Sequence, residues 1–484
     1  MVGLCACSSG FSSTIYFPGI PLITADLNAP SMATTLTAAL FILFMGIAPV
    51  FWASASDFYS IRRWLFIFSM LIFAVASLGS AVMTNIWGLV VLRCVQAMGA
   101  SCGQSVGAGV IADCYPVEKR GAAFSKYFFG VFFGPLLGPV IGGFLIMSKE
   151  TWRATFWFCF AFGCAVALSL FFAFPETYRQ NEKFDGPAQI TSPKTALEDI
   201  KTTDDSGTAI DTPINNSEIG STHNEKSATT VETTTKPAAA DPATKKRSIN
   251  PIGPFLLLRF PFVLMSSIVS GVAFGSMFAV ETIIPTLYEE HYGFTSWKTG
   301  LSFLGAGVGN LCGAVINNAI SDRLLMRARA KRGGRVKVED RLAINLWPCG
   351  IVIIPFGLLL FGWSIEKGLT VWAPIVGFGI QNFGMNQFMT ATSAYLVDAV
   401  PGQGASATAA ANLVRMVLAC VLTLVANPMV AAIGPGYTTV LLAALTWAAV
   451  IVLFFLKVYG QRLRRWSGFE HPDEVKKPEP EEAA

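Results

Sequence analysis

The chain has 484 residues, 53% of them hydrophobic and only 14% charged, with 38 Phe, 11 Trp and a formal net charge of +4. An ordinary soluble domain carries about a quarter of its residues as charges, so that class is excluded. Ten cysteines sit almost entirely in apolar runs, and the three histidines (His223, His291, His471) lie in polar segments or at a loop edge, leaving no material for a disulfide framework or a metal site.

Apolar runs of about 20 residues, each able to cross a hydrocarbon core of roughly 30 Å, recur along the chain and predict twelve membrane-spanning helices. They lie near 2–23, 35–56, 63–83, 86–112, 125–147, 152–174, 262–287, 298–319, 343–365, 369–396, 404–432 and 435–457. The first begins almost at Met1 with no basic segment before it, so it does not read as a cleavable signal peptide. Either the sequence is truncated there or the chain dispenses with an N-terminal tail.

Span two runs into "SASDFYSIRRWL" (Ser54–Leu65), where Asp57 at a helix end precedes Arg62 and Arg63. This is a topology signal or, with Arg120 of the following loop, a gate latch. Span four reads "LRCVQAMGASCGQSVGAGVIAD"; Arg93, Gln96, Ala100 and Gln104 fall on one helical face by the 3.6-residue period. Arg93 lies well inside the span, where a charge is costly and seldom idle. Asp113 and Arg120 follow at the end of that span.

Span five contains "GPLLGPVIGG", with two prolines and four glycines in ten residues (Gly134–Gly143). In a soluble helix each Pro would cost about 3 kcal/mol and each Gly about 1 kcal/mol. In hydrocarbon such breakers are tolerated where neighbouring helices satisfy the backbone. Gly134, Gly138 and Gly142, four apart, then make a smooth groove for another helix, with Pro139 and Gly143 beside it.

Residues from about 180 to 250 change character, being rich in Thr, Ser, Ala, Asp and Lys with little to bury, which predicts disorder. The sequon at Asn215-Asn216-Ser217 is a chance match on the cytoplasmic side. Replacing 185–245 by a short flexible linker is expected to leave most of the protein's activity intact, as measured on a well-expressed, correctly targeted deletion.

In the second half, Glu281 is the carboxylate set furthest inside a span, at span seven; a snorkelling acid near the outer interface is its plainer reading. Asn382, Met385, Asn386 and Met389 recur at helical spacing in span ten, and Arg415 in span eleven suits gating or helix packing. Basic residues gather after the even-numbered spans, most densely from Arg323 to Arg341. By the positive-inside rule both termini and the central loop are cytoplasmic, and the cluster is an orientation signal rather than a nucleic-acid site.

Two groups of six spans around a disordered linker are the pattern of parallel-repeat transporters. The chain resembles the major facilitator superfamily. Gly134-x-x-x-Gly138-Pro139-x-x-Gly142-Gly143 matches the fifth-span signature of its antiporters. Arg93, Gln96 and Gly99 match its span-four pattern, and "WRATFWF" (Trp152–Phe158) and "PETY" (Pro175–Tyr178) are similar to the fungal drug:proton antiporters with twelve spans. The loop of Ser54–Leu65 keeps the family's Asp57 and Arg62 but has Ala53, Ser60 and Ile61 where glycines and an arginine are expected.

The resemblance implies an all-α membrane protein of two pseudo-symmetric six-helix bundles: residues 1–178 and 256–458, with a linker at 179–255 and a cytoplasmic tail at 459–484. It implies a proton-coupled antiporter, not an enzyme, that exports drugs, toxins or secondary metabolites without a cofactor. Its partners would be a small-molecule substrate, protons and lipid, with a functional monomer in the plasma membrane, or the vacuolar membrane as alternative. Spans one, four, seven and ten would line the cavity. Tyr16, Gln96, Asn382, Met385, Asn386 and Met389 then contact substrate, Glu281 and Arg93 couple the proton and communicate electrostatically, and Asp57, Arg62, Asp113, Arg120 and Arg415 serve gating or packing. A dedicated exporter of one metabolite, such as an organic acid, is the alternative within this class. A non-transporting nutrient receptor is the alternative outside it, disfavoured by the short polar tail.

Overall fold

A computed structural model describes residues 1–59, 61–114, 117–177, 253–330, 338–342, 346–400 and 404–469. The side chains of Asp57, Asp113 and Arg120, and with them the expected latch, lie outside the described ones, as does the linker. Every described element is helical. The residues outside 180–247 form one compact unit.

The first span is broken. Helix α1 (Val2–Thr14) and helix α2 (Ile20–Asp26) are joined through a 3-10 turn at Phe17–Gly19. Pro18 is the physical cause, since it has no N–H to give to the carbonyl four residues back. Spans two to six are α3 (Ser31–Tyr59), α4 (Arg63–Val82), α5 (Ile86–Cys114), α6 (Val117–Leu145) and α7 (Arg153–Ala173).

A short α8 (Gly253–Leu257) precedes span seven, α9 (Pro261–Tyr292). Its C-terminus is a left-handed turn at Gly293 (φ 60°), where the N–H of Phe294 donates to the Tyr288 carbonyl at 3.1 Å. Span eight is α10 (Ser296–Ser302) and α11 (Leu304–Ala330); span nine is α12 (Leu346–Pro348), a π-helical stretch and α13 (Ile354–Glu366). Span ten is α14 (Trp372–Ala399). Spans eleven and twelve run together as α15 (Gly404–Trp466), broken only at Gly434, whose φ of 80° and ψ of 165° suit glycine alone.

Among the described residues, eight helical stretches are long and apolar enough to cross a membrane, the last of them carrying two spans. Spans one, five and ten are missing from that set. Span one is interrupted and span ten is diluted by glycine and amide side chains, whereas span five contributes the shorter apolar helix Phe133–Leu145.

Within the first half, α1 packs on α5 and α6, and α4 packs on α5 and α7; within the second, α9 packs on α15, and α14 on α11 and α13. The halves meet through α3 against α15 and α6 against α10. Asn427 donates to Thr35 Oγ1 at 2.8 Å at the first of these contacts, and Phe17 stacks near Phe303 with centroids 6.5 Å apart close to the second. The Asn427–Thr35 bond and the Phe17–Phe303 pair lie in the parts of the spans remote from the linker, while Gly46 in the middle of α3 meets Met416 of α15.

At the linker end, Glu176 of the "PETY" segment caps span three from a distance. The backbone N–H groups of Arg62 and Arg63 donate to its two carboxylate oxygens at 2.9 and 3.1 Å. A carboxylate there satisfies orphan donors and meets the positive end of the helix dipole. Glu176→Ala is expected to lower unfolding free energy by about 1–2 kcal/mol, with Glu176→Gln losing less, as read from denaturation of the reconstituted protein.

Candidate functional site

The span-five groove is a real packing surface. A side-chain carbon on Gly134 would stand 2.6 Å from the Cys7 carbonyl oxygen, and one on Gly143 would stand 2.7 Å from the Ser296 carbonyl oxygen. At Gly138 it would strike Thr14 Oγ1, and at Gly142 the carbonyl oxygen of Ile15. Three glycines therefore seat span one, and Gly143 seats span eight. Pro139 meets Gly300 of span eight through its carbonyl. The groove thus holds span one along the run that leads into its break.

Just beyond it lies Arg93, 1% exposed. Its Nη1 donates to the Ser12 carbonyl at 2.8 Å and to Gln96 Oε1 at 2.7 Å. Gln96 Nε2 in turn donates to Ser77 Oγ at 2.8 Å. The guanidinium carbon stands 4.1 Å from the ring centres of both Tyr16 and Phe41, a cation–π sandwich. Ser12 belongs to the last turn of α1, so the charge also sits at the negative end of a half-helix. Arg93 Nε and Nη2 make no hydrogen bond.

The second half gathers amides. Asn386 Nδ2 donates to Asn310 Oδ1 at 2.5 Å, Gln387 Nε2 to the Gly313 carbonyl at 2.7 Å, and Asn382 Nδ2 to the Phe378 carbonyl at 2.9 Å. Gln381 is fully buried with both side-chain polar atoms unpartnered. It packs at the close approach of spans nine and ten, where its own backbone leaves no room for a side chain on Gly357. Arg415 reaches Met389 of span ten and Phe274 of span seven.

Glu281 is 6% exposed, and its Oε2 accepts no hydrogen bond. Residues 276–285 around it are all buried, so it is enclosed by protein rather than snorkelling from a helix surface. Arg93 and Glu281 form no ion pair, because the guanidinium is committed to Ser12, Gln96 and two rings. The expected electrostatic communication is not a contact in this conformation.

The family profile described as Major Facilitator Superfamily matches residues 2–423. The chain belongs to the major facilitator superfamily.

Among relatives in this superfamily, the MFS-type transporter phiD of a fungal species is 30% identical over 482 residues, covering 96% of this chain and 69% of its own length. The MFS antiporter QDR3 of Candida albicans is 27% identical, covering 96% of this chain and 78% of its own length. A partially occluded, inward-open structure of the xylose transporter XylE from E. coli has a TM-score of 0.62 at 13% identity, covering 95% of this chain and 97% of that one. That likeness bears on the fold, which is the all-α major facilitator arrangement of a multi-pass membrane protein.

Several residues of this major facilitator chain were not singled out from sequence. Asn310 is the partner of Asn386, and Ser12 and Ser77 complete the Arg93 chain. Arg464 and Glu339, 1% and 5% exposed, form an ion pair at 2.9 Å at the linker end of span twelve. At the opposite end Asp26 accepts from Arg153 at 2.7 Å and from Trp152 at 3.1 Å. Arg62, expected in gating, donates from Nη1 to Ser56 Oγ at 2.7 Å. The "PETY" motif was the one available sign of the Glu176 cap.

Proposed function

We propose that this chain is a proton-coupled antiporter that exports small organic compounds such as drugs, toxins or secondary metabolites by alternating access. The observation that carries the reading is Glu281, a carboxylate enclosed within span seven with an oxygen left unpartnered. A buried group of this kind is costly to keep, and an acid that exchanges a proton between two conformations is the use that fits it. QDR3, named as an antiporter, supports the same class.

The two six-helix bundles, residues 1–178 and 256–458, would rock about the contacts of span two with span eleven and span five with span eight. Termini and linker would face the cytoplasm, with the plasma membrane as the site of action and a monomer as the working unit. Tyr16, Gln96, Asn382, Met385, Asn386 and Met389 are the proposed substrate-facing set, and Arg93 holds the break in span one. The chain acts as a transporter and not as an enzyme.

The test is uphill export from energised vesicles. An uncoupler that collapses the proton gradient is expected to stop it; undiminished active export would overturn the antiport reading.

A further inference from the structure

Arg415 lies where spans seven, ten and eleven meet, and it is half-buried. Its Nη1 donates to the Met389 sulfur at 3.4 Å, and its Nη2 donates to the Asn412 side-chain oxygen. The guanidinium carbon stands 5.2 Å from the Phe274 ring centre, and Nε is without a partner. Arg415 forms no ion pair with any described carboxylate.

The other deep cations are settled differently. Arg464 is matched by the Glu339 carboxylate, and Arg93 is fixed by a backbone carbonyl and a ring sandwich. Among the described residues, the hydrogen-bond and ring partners of Arg415 are movable neutral side chains: a thioether, an amide and an aromatic ring. An uncompensated cation is expensive away from bulk water, and its planar fork is shaped to receive a carboxylate bidentately. The surroundings are apolar. Phe274 and Phe278 stack edge to face with centroids 5.0 Å apart, and Met385 lies one turn from Met389 on span ten.

We infer that Arg415 is the recognition point for the carboxylate of an amphipathic organic acid, whose apolar body rests against Phe274, Met385 and Met389. The inference rests on the transport reading above and narrows its substrate class. A ligand carboxylate would take the free Nε–H together with Nη2 on the same edge of the guanidinium, displacing the Asn412 side-chain oxygen.

The test is a binding comparison on the full chain in phosphatidylcholine nanodiscs, free of anionic lipid, using 1-naphthaleneacetic acid and its neutral amide, with sodium acetate as a small-anion control. The acid is expected to bind at least about tenfold more tightly than the amide, as loss of a charge-assisted hydrogen bond implies. Acetate, lacking an apolar body, should bind more weakly than the acid. Arg415→Gln should bind acid and amide alike while keeping the wild-type affinity for the amide, which also shows that the variant is folded. Arg415→Lys should keep part of the preference, and Met389→Leu should retain it.

Equal binding of acid and amide by the wild type, no binding of the acid, acetate binding as tightly as the acid, or a preference that survives in Arg415→Gln would overturn the inference. No proton gradient enters this measurement. A failed uncoupler test with an intact acid preference would sink the antiport reading alone, and the reverse result would sink this inference alone.

Discussion

Gly142→Val is expected to abolish export while leaving protein inserted in the membrane, and Gly138→Val is expected to do the same. The cause is the groove of span five. At both positions an added carbon collides with span one, at the Ile15 carbonyl and at Thr14 Oγ1. Neither obstacle can rotate away cheaply, because Ile15 offers backbone and Thr14 is held by its own hydrogen bond to the Gly10 carbonyl at 3.0 Å. Helix association in lipid relies on packing rather than on the hydrophobic effect, so a displaced helix has little to pull it back. The displaced segment lies beside the break at Tyr16–Gly19 and the Ser12 carbonyl that Arg93 holds, so a shift there reaches the centre of the first half. The measurement pairs vesicle export with membrane-fraction abundance. Normal export by both variants would show that the interface tolerates a branched side chain.

That groove was legible in the sequence because it is a local, periodic property: small residues four apart stay on one face whatever the tertiary fold. The twelve spans were legible for the same reason, since length and hydropathy are local. The break in span one was signalled by Pro18 but overridden by the continuous apolar run from 2 to 23. The Arg93–Gln96 pair could be read from helical spacing, whereas Ser12 and Ser77 could not, because they come from other helices. Glu339 and Arg464, 125 residues apart, carry no pattern that links them. Pairing over such separations is decided by how helices dock. The same limit explains why Arg93 and Glu281, which the resemblance sets on cavity-lining helices, form no ion pair: Arg93 is committed to Ser12, Gln96 and two rings, and Glu281 keeps an unpartnered oxygen.

Glu281→Gln is expected to abolish uphill, gradient-driven export while sparing downhill exchange of substrate. Gln is nearly isosteric with Glu and keeps a hydrogen-bonding head, so the enclosed site around residues 276–285 should accept it without rearrangement. What it removes is the ability to exist in a charged and a neutral form. A carrier coupled through this group then loses the link between proton and substrate, although its two conformations still interconvert. The active accumulation ratio should fall to about one, because without coupling a substrate gradient can only run down. Counterflow should persist, which separates uncoupling from misfolding. The pH profile of export should flatten in Glu281→Gln and recover in part in Glu281→Asp, whose shorter side chain restores the titratable group. Should Glu281→Gln keep the wild-type accumulation and pH profile, the proton is carried elsewhere, and Asp57 and Asp113 are the next carboxylates to replace.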